Sequence, residues 1–159
     1  MVNEWMPRKK FDAMVRGEDC PLCREIASEE GSNEYGYTVT DLSFSRLRLC
    51  SNQYVAGYCV LICHKHVREP YELSDDEYHM FFNDLMRAGK SLETVYKADK
   101  MNFEILGNAV PHVHGHIVPR YYGDSAPHRP IDPEASKILL APEKYEKRVV
   151  EIRRELDKR

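Results

Sequence analysis

The 159-residue chain carries seven histidines and five cysteines, and their placement is not random. Three histidines alternate in Pro111-His112-Val113-His114-Gly115-His116-Ile117-Val118-Pro119-Arg120. In an extended chain alternate side chains share a face, so the spacing predicts His112, His114 and His116 in one row with Val113, Gly115 and Ile117 behind them. Histidine titrates near neutrality and ligates metals, and both uses want several imidazoles together. The second grouping is Cys20-Pro21-Leu22-Cys23, a C-x-x-C turn. Thiolates and imidazoles together suit Zn2+ in a tetrahedral site, and the turn supplies two ligands at once. Two more donors are required, one from His64 or His66 and one from the histidine row. Four protein ligands close the coordination shell, which makes the expected zinc structural. A redox role for the pair would want a thioredoxin-like βαβ setting, and the flanking sequence has none.

With one histidine given to the metal, two remain for reaction. A neutral imidazole can attack phosphorus and later leave, splitting one displacement into two. A neighbouring histidine or backbone amide then steadies the phosphoryl oxygens. Gly115 permits close approach, either of a substrate or of whatever lies behind the strand.

The elements that must hold these groups are legible from pattern. A short helix is expected over Arg8 to Arg16, stopped by Gly17, and a turn leading into a helix over Cys20 to Glu30. Tyr35 to Leu42 and Phe44 to Leu49 alternate as neighbouring strands. Gly57 to Cys63 is almost continuously apolar, the mark of a central strand, and ends in His64-Lys65-His66. Ser74-Asp75-Asp76-Glu77 is a capping box, and apolar residues at helical spacing carry a helix from about Asp75 to about Lys97. Met101 to Leu106 reads as a strand, Gly107-Asn108-Ala109 as a tight turn and Pro111 to Val118 as the histidine strand. Tyr121 to Pro133 is an irregular loop, Glu134 to Leu140 a short helix, and Pro142 opens a helix with Tyr145, Val149, Ile152 and Leu156 on one side. That last stripe could cover the domain or a second subunit.

Composition bounds the function. The length fits a single domain over residues 1–159, with a core at 20–120 and a C-terminal loop and helix at 121–159. A net charge of −3 gives no basic footprint for long nucleic acid, while free nucleotides stay open as substrates. No apolar run approaches a membrane span and the start of the chain lacks a leader pattern, so the expected location is cytoplasmic. Five unevenly placed cysteines argue against a disulfide framework, and Cys50, Cys59 and Cys63 read as buried thiols.

His112-Val113-His114-Gly115-His116-Ile117-Val118 resembles the alternating histidine signature of the histidine triad (HIT) superfamily of nucleotide hydrolases and transferases, with glycine at one hydrophobic position. Leu42-Ser43-Phe44, the Gly57 strand ending near His66, the Leu73-Ser74 helix start and Gly107-Asn108 follow the family's order, from about Cys20 to Arg120. The resemblance implies an α+β fold, a mainly antiparallel sheet of about five strands with one long helix packed on it, and a homodimer. It implies that His114 is the nucleophile, that His116 contacts the phosphate, and that zinc is held by Cys20, Cys23, His66 and His112. It places Asn108, and less directly Asn102, at the phosphate or leaving group. An acidic or amide residue that often meets the ribose is Cys50 here, and Asn52, two residues on and on the same face of a strand, is the candidate to take its place; a histidine common after the strand's opening glycine is Tyr58. The resulting expectation is a nucleotide hydrolase cleaving at the α-phosphate of a phosphoester or phosphoramidate such as a dinucleoside polyphosphate. A nucleotidyltransferase or phosphorylase, and a nucleotide-binding regulatory module with little turnover, are the alternatives.

Overall fold

The computed structural model describes residues 5–158; the leader reading at Met1 to Glu4 lies outside the described residues. A six-stranded sheet forms the frame, ordered β1-β2-β3-β4-β6-β5. The strands are β1 (Ser32–Asn33), β2 (Gly36–Asp41), β3 (Ser45–Cys50), β4 (Cys59–Cys63), β5 (Lys100–Glu104) and β6 (His114–Arg120), and every pairing is antiparallel. The strand beyond the five expected is the two-residue β1.

Two short helices, α1 (Arg8–Val15) and α2 (Pro21–Ala27), precede the sheet. The long helix α3 (Asp75–Tyr96) begins where Ser74 Oγ accepts from the Glu77 amide at 3.3 Å and Glu77 Oε2 accepts from the Ser74 amide at 2.9 Å. That reciprocal pair satisfies two amides that a helix start leaves open. Phe81, Leu85, Ala88 and Leu92 of α3 are fully buried against Leu47, Leu49, Leu61 and Ile117 of the sheet. Burying each of the larger side chains contributes roughly 1.5–3 kcal/mol. Asp84, wholly buried on the same helix, accepts from Ser43 Oγ, Phe44 N and Ser45 Oγ at 2.8 Å each and from Ser43 N at 3.3 Å. A single carboxylate thus ties α3 to the turn between β2 and β3.

The C-terminal helix α4 (Pro142–Leu156) buries Tyr145, Val149, Ile152 and Leu156, and this stripe covers the chain's own α3 and β2. The helix expected over Glu134 to Leu140 is not formed. Asn52 captures that segment instead: its Nδ2 donates to the carbonyls of Pro133 and Ser136 and its Oδ1 accepts from the Ile138 amide. Tertiary hydrogen bonds have replaced the helical ones, because a buried amide side chain offers the same partners as a helical turn. Among the described residues no helix is long and apolar enough to cross a membrane.

Candidate metal cluster and histidine site

Strand β6 starts at His114, two residues later than the triad pattern suggests, so the three histidines do not stand in one row. Val113 bonds to Val67 and to Cys63 through its backbone, and this irregular pairing turns the His112 ring away from its neighbours. His112, 1 % exposed, faces Cys20, Cys23 and His66, and the four donor atoms all lie within 4.8 Å of one another. The two Nδ1 atoms of His66 and His112 are 3.2 Å apart, and the sulfur-to-Nδ1 separations are 3.3 Å for Cys23–His66 and 3.5 Å for Cys20–His112 and Cys23–His112. A zinc tetrahedron with ordinary bond lengths has N–N edges of about 3.3 Å and N–S edges of about 3.6 Å.

The second ring nitrogens explain why the lone pairs converge. His112 Nε2 donates to the Cys63 carbonyl at 2.8 Å and His66 Nε2 to the Val15 carbonyl at 3.2 Å, which leaves both Nδ1 atoms as bare acceptors facing each other. Two facing lone pairs repel unless a cation sits between them, so the donor set fits a metal of zinc's preferences. Burial lowers His112 to about 4 and raises the Cys23 thiol to about 11 when no cation compensates. His64, the alternative ligand, turns away to Asp41, its Nε2 3.2 Å from Oδ1.

His114 and His116 occupy alternate positions of β6 on the sheet face opposite α3. His114 is 9 % exposed, and its Nδ1 donates to the His112 carbonyl at 2.6 Å. The proton is therefore held on Nδ1, and Nε2 keeps its lone pair. His116 lies beside it with ring centroids 5.0 Å apart, and its Nδ1 is 2.6 Å from the Tyr58 hydroxyl. Burial lowers both imidazoles, His116 to about 4 with help from His114, so both rings are neutral near pH 7. Gly115 between them points to the other face, where an added Cβ would stand 2.8 Å from Leu85 Cδ1. Its small size serves the contact with α3.

The remaining expected residues are spread around this face. Asn108 is exposed in the turn before the histidines. Asn102 on β5 accepts from Arg120 at 2.6 Å and borders a cavity of about 570 Å³ shared with Glu104, His128 and Arg129. Asn52 is engaged with residues 133–138, including Glu134 Oε2 at 3.1 Å, and Ile131 just before that segment packs against the small cluster of Val55, Tyr58 and Val118. Arg120 holds the same loop through Asp124 and the carbonyls of Ala126 and Arg129. Sequence pattern did not reveal that Tyr58 meets His116, or that the loop after β6 folds back over this face. The only signal was Tyr58 itself, a phenol where a histidine is common.

A HIT domain model matches residues 39–123. Among solved structures, a histidine triad protein from Marinobacter aquaeolei is similar at 20% identity with a TM-score of 0.73, over 87% of this chain and 97% of that one. A histidine triad protein from Bradyrhizobium japonicum is similar at 24% identity with a TM-score of 0.69, over 77% and 92%. A zinc-bound histidine triad family protein from Mycobacterium smegmatis is similar at 18% identity with a TM-score of 0.62, over 87% and 93%. No curated protein sequence matches the chain. The domain match covers more than half of the chain and includes strands β3 to β6 with the paired imidazoles, so this protein belongs to the HIT family.

Proposed function

We propose that the chain is a nucleotide hydrolase acting at the α-phosphate of a nucleotide phosphoester or phosphoramidate, of the dinucleoside polyphosphate kind. The observation that carries this reading is the His114 hydrogen bond to the His112 carbonyl, which leaves a neutral imidazole with its Nε2 lone pair uncommitted. That nitrogen attacks phosphorus, a P–N bond forms, and the leaving oxygen or nitrogen departs with the bonding pair. Water then attacks phosphorus and the P–N pair returns to the imidazole, releasing the nucleoside monophosphate. His116 stands beside the phosphoryl oxygens, and Asn108 and Asn102 meet the phosphate or the leaving group. Asn52, in this reading the residue at the ribose hydroxyls, is held there by its bonds to residues 133–138.

Cys20, Cys23, His66 and His112 hold a structural zinc in this reading, which is supported by the donor geometry and by the zinc-bound relative. When bound, the ion supplies a cross-link between the N-terminal knuckle, the end of β4 and the start of β6. A homodimer is supported by β5 lying at the edge of the sheet among the described residues, with Phe103 exposed on it and Leu106 exposed just beyond its end.

The test is incubation with a panel of adenylylated compounds and trapping of the adduct for mass spectrometry. The expected result is a nucleotidyl group on His114 and no turnover in His114→Ala. Label on another residue, or activity that survives the substitution, refutes the reading. A nucleotidyltransferase is distinguished by a phosphate or sugar-phosphate acceptor that outcompetes water. A regulatory module with little turnover is the second reading, favoured by Cys50 and Tyr58 at positions where the family often has other residues and by Ile131 packed on the Tyr58 cluster; nucleotide binding without product, unchanged in His114→Ala, supports it instead.

A further inference from the structure

We infer that Tyr58 is a positioning residue that holds His116 in the tautomer with its proton on Nε2, so that a ring N–H faces the substrate beside the His114 lone pair. The inference rests on the reading of His116 as the group that meets the phosphoryl oxygens.

The geometry is specific. Tyr58 is 5 % exposed and its hydroxyl is 2.6 Å from His116 Nδ1. The two rings are inclined by only 8° with centroids 6.0 Å apart, so they meet edge to edge and the hydroxyl lies near the imidazole plane, where the Nδ1 bond is directed. Either the phenol donates to Nδ1 or Nδ1–H donates to the phenol. His116 Nδ1 is the side-chain partner found for this hydroxyl among the described residues, and the Cys50 thiol packed in the same cluster is a weak acceptor and a weak donor. If Nδ1–H donated, the phenolic proton would be left with sulfur. If the phenol donates, its proton goes to a strong nitrogen acceptor and the thiol proton can go to the phenolic oxygen. The second arrangement pairs the stronger donor with the stronger acceptor, and it is the one a buried network adopts.

The protonation of each member agrees. Burial raises the Tyr58 phenol above its ordinary range, with the Cys50 and Glu134 charges adding to it, so the hydroxyl keeps its proton. Burial raises the Cys50 thiol to about 12. A neutral His116 has one ring proton, and with Nδ1 accepting, that proton is on Nε2. His114 is held in the opposite tautomer by the His112 carbonyl. Adjacent rings at 5.0 Å and 64° therefore present one acceptor and one donor, matched to phosphorus and to an oxygen on it. Without the hydroxyl, Nδ1 loses its partner and His116 can present a lone pair to a phosphoryl oxygen, which is repulsive.

The test is long-range 15N–1H NMR of the full-length, zinc-loaded protein labelled at histidine, combined with the kinetics of Tyr58→Phe on a fluorogenic nucleotide ester. The expected spectrum of the unmodified protein shows His116 protonated at Nε2. In Tyr58→Phe that signal moves toward a mixture of tautomers and kcat falls about 10- to 100-fold with KM little changed, the size of one buried hydrogen bond lost. A His116 proton found on Nδ1 in the unmodified protein overturns the inference, as does a Tyr58→Phe variant that keeps both the Nε2–H signal and full kcat. The spectrum needs no substrate, so it decides the tautomer even if the hydrolase reading fails.

Discussion

Zinc affinity should rise steeply with pH, and the slope counts the thiolates. Cys20 and Cys23 bind as thiolates, so each ion taken up releases two protons. The Cys23 thiol, raised to about 11 in the metal-free protein, is protonated throughout the neutral range. His112, lowered to about 4, is already neutral there and adds no proton to the exchange. Apparent affinity should therefore weaken about 100-fold for each pH unit of acidification, or about 2.7 kcal/mol, twice the cost of one proton per unit. Competition against a chromophoric chelator of known pH dependence, run between about pH 6.5 and pH 7.5, measures this slope. The folded chain should also gain about 4 kcal/mol over its stripped form when free zinc is a thousandfold above the dissociation constant. A slope near zero refutes the thiolate site, and a tenfold change per unit means that only one of the two cysteines binds the ion.

Other perturbations separate the supports of the site. Asp84→Ala removes the acceptor of four hydrogen bonds, two of them from backbone amides and one from the buried Ser45 hydroxyl, and should lower unfolding free energy by about 1–3 kcal/mol in urea titrations; a smaller loss would mean that water replaces the carboxylate. Gly115→Ala drives a methyl group to 2.8 Å from Leu85 Cδ1 and should cost about 1–3 kcal/mol, with the loss reduced by Leu85→Ala in the same chain. His116 titrates near 4 in the fold against an ordinary value of 6.5, so its contribution to stability is complete above pH 6.5 and is lost as pH falls toward 4. Urea midpoints of the unmodified protein should accordingly drop across that window, more than those of His116→Gln. If the chain is the proposed hydrolase, then because burial also lowers His114 its turnover should persist below pH 6.5 and decline only as Nε2 takes a proton, a limb that pH–kcat/KM profiles would show.

Much of the fold was legible in local pattern. The capping box at Ser74 and the helical spacing behind it placed α3 almost to the residue, since a helix start depends on contacts three residues apart. The apolar run after Gly57 identified the central strand β4, because only a strand covered on both faces tolerates so few polar groups. Cys20-x-x-Cys23 and the alternating histidines named the residue types of the metal cluster and of the paired imidazoles. Their partners depended on closure over long distances in the chain. His64 and His66 have equal claims by spacing, and only the path of the chain after β4 sends His64 to Asp41 and His66 under the Val15 carbonyl. The same holds at residues 134–140, where helix propensity yields to Asn52, more than eighty positions away in the chain.

The sequence by itself determined which groups can do chemistry here: two thiols in one turn and imidazoles at alternate positions, whose reactivity belongs to the residue type. The tertiary structure decided which nitrogen of each imidazole is available. Backbone carbonyls of Val15, Cys63 and His112 hold one ring proton each; the first two lie about fifty positions away in the chain and reach the rings only in the folded domain, while the third depends on the backbone turn just before β6.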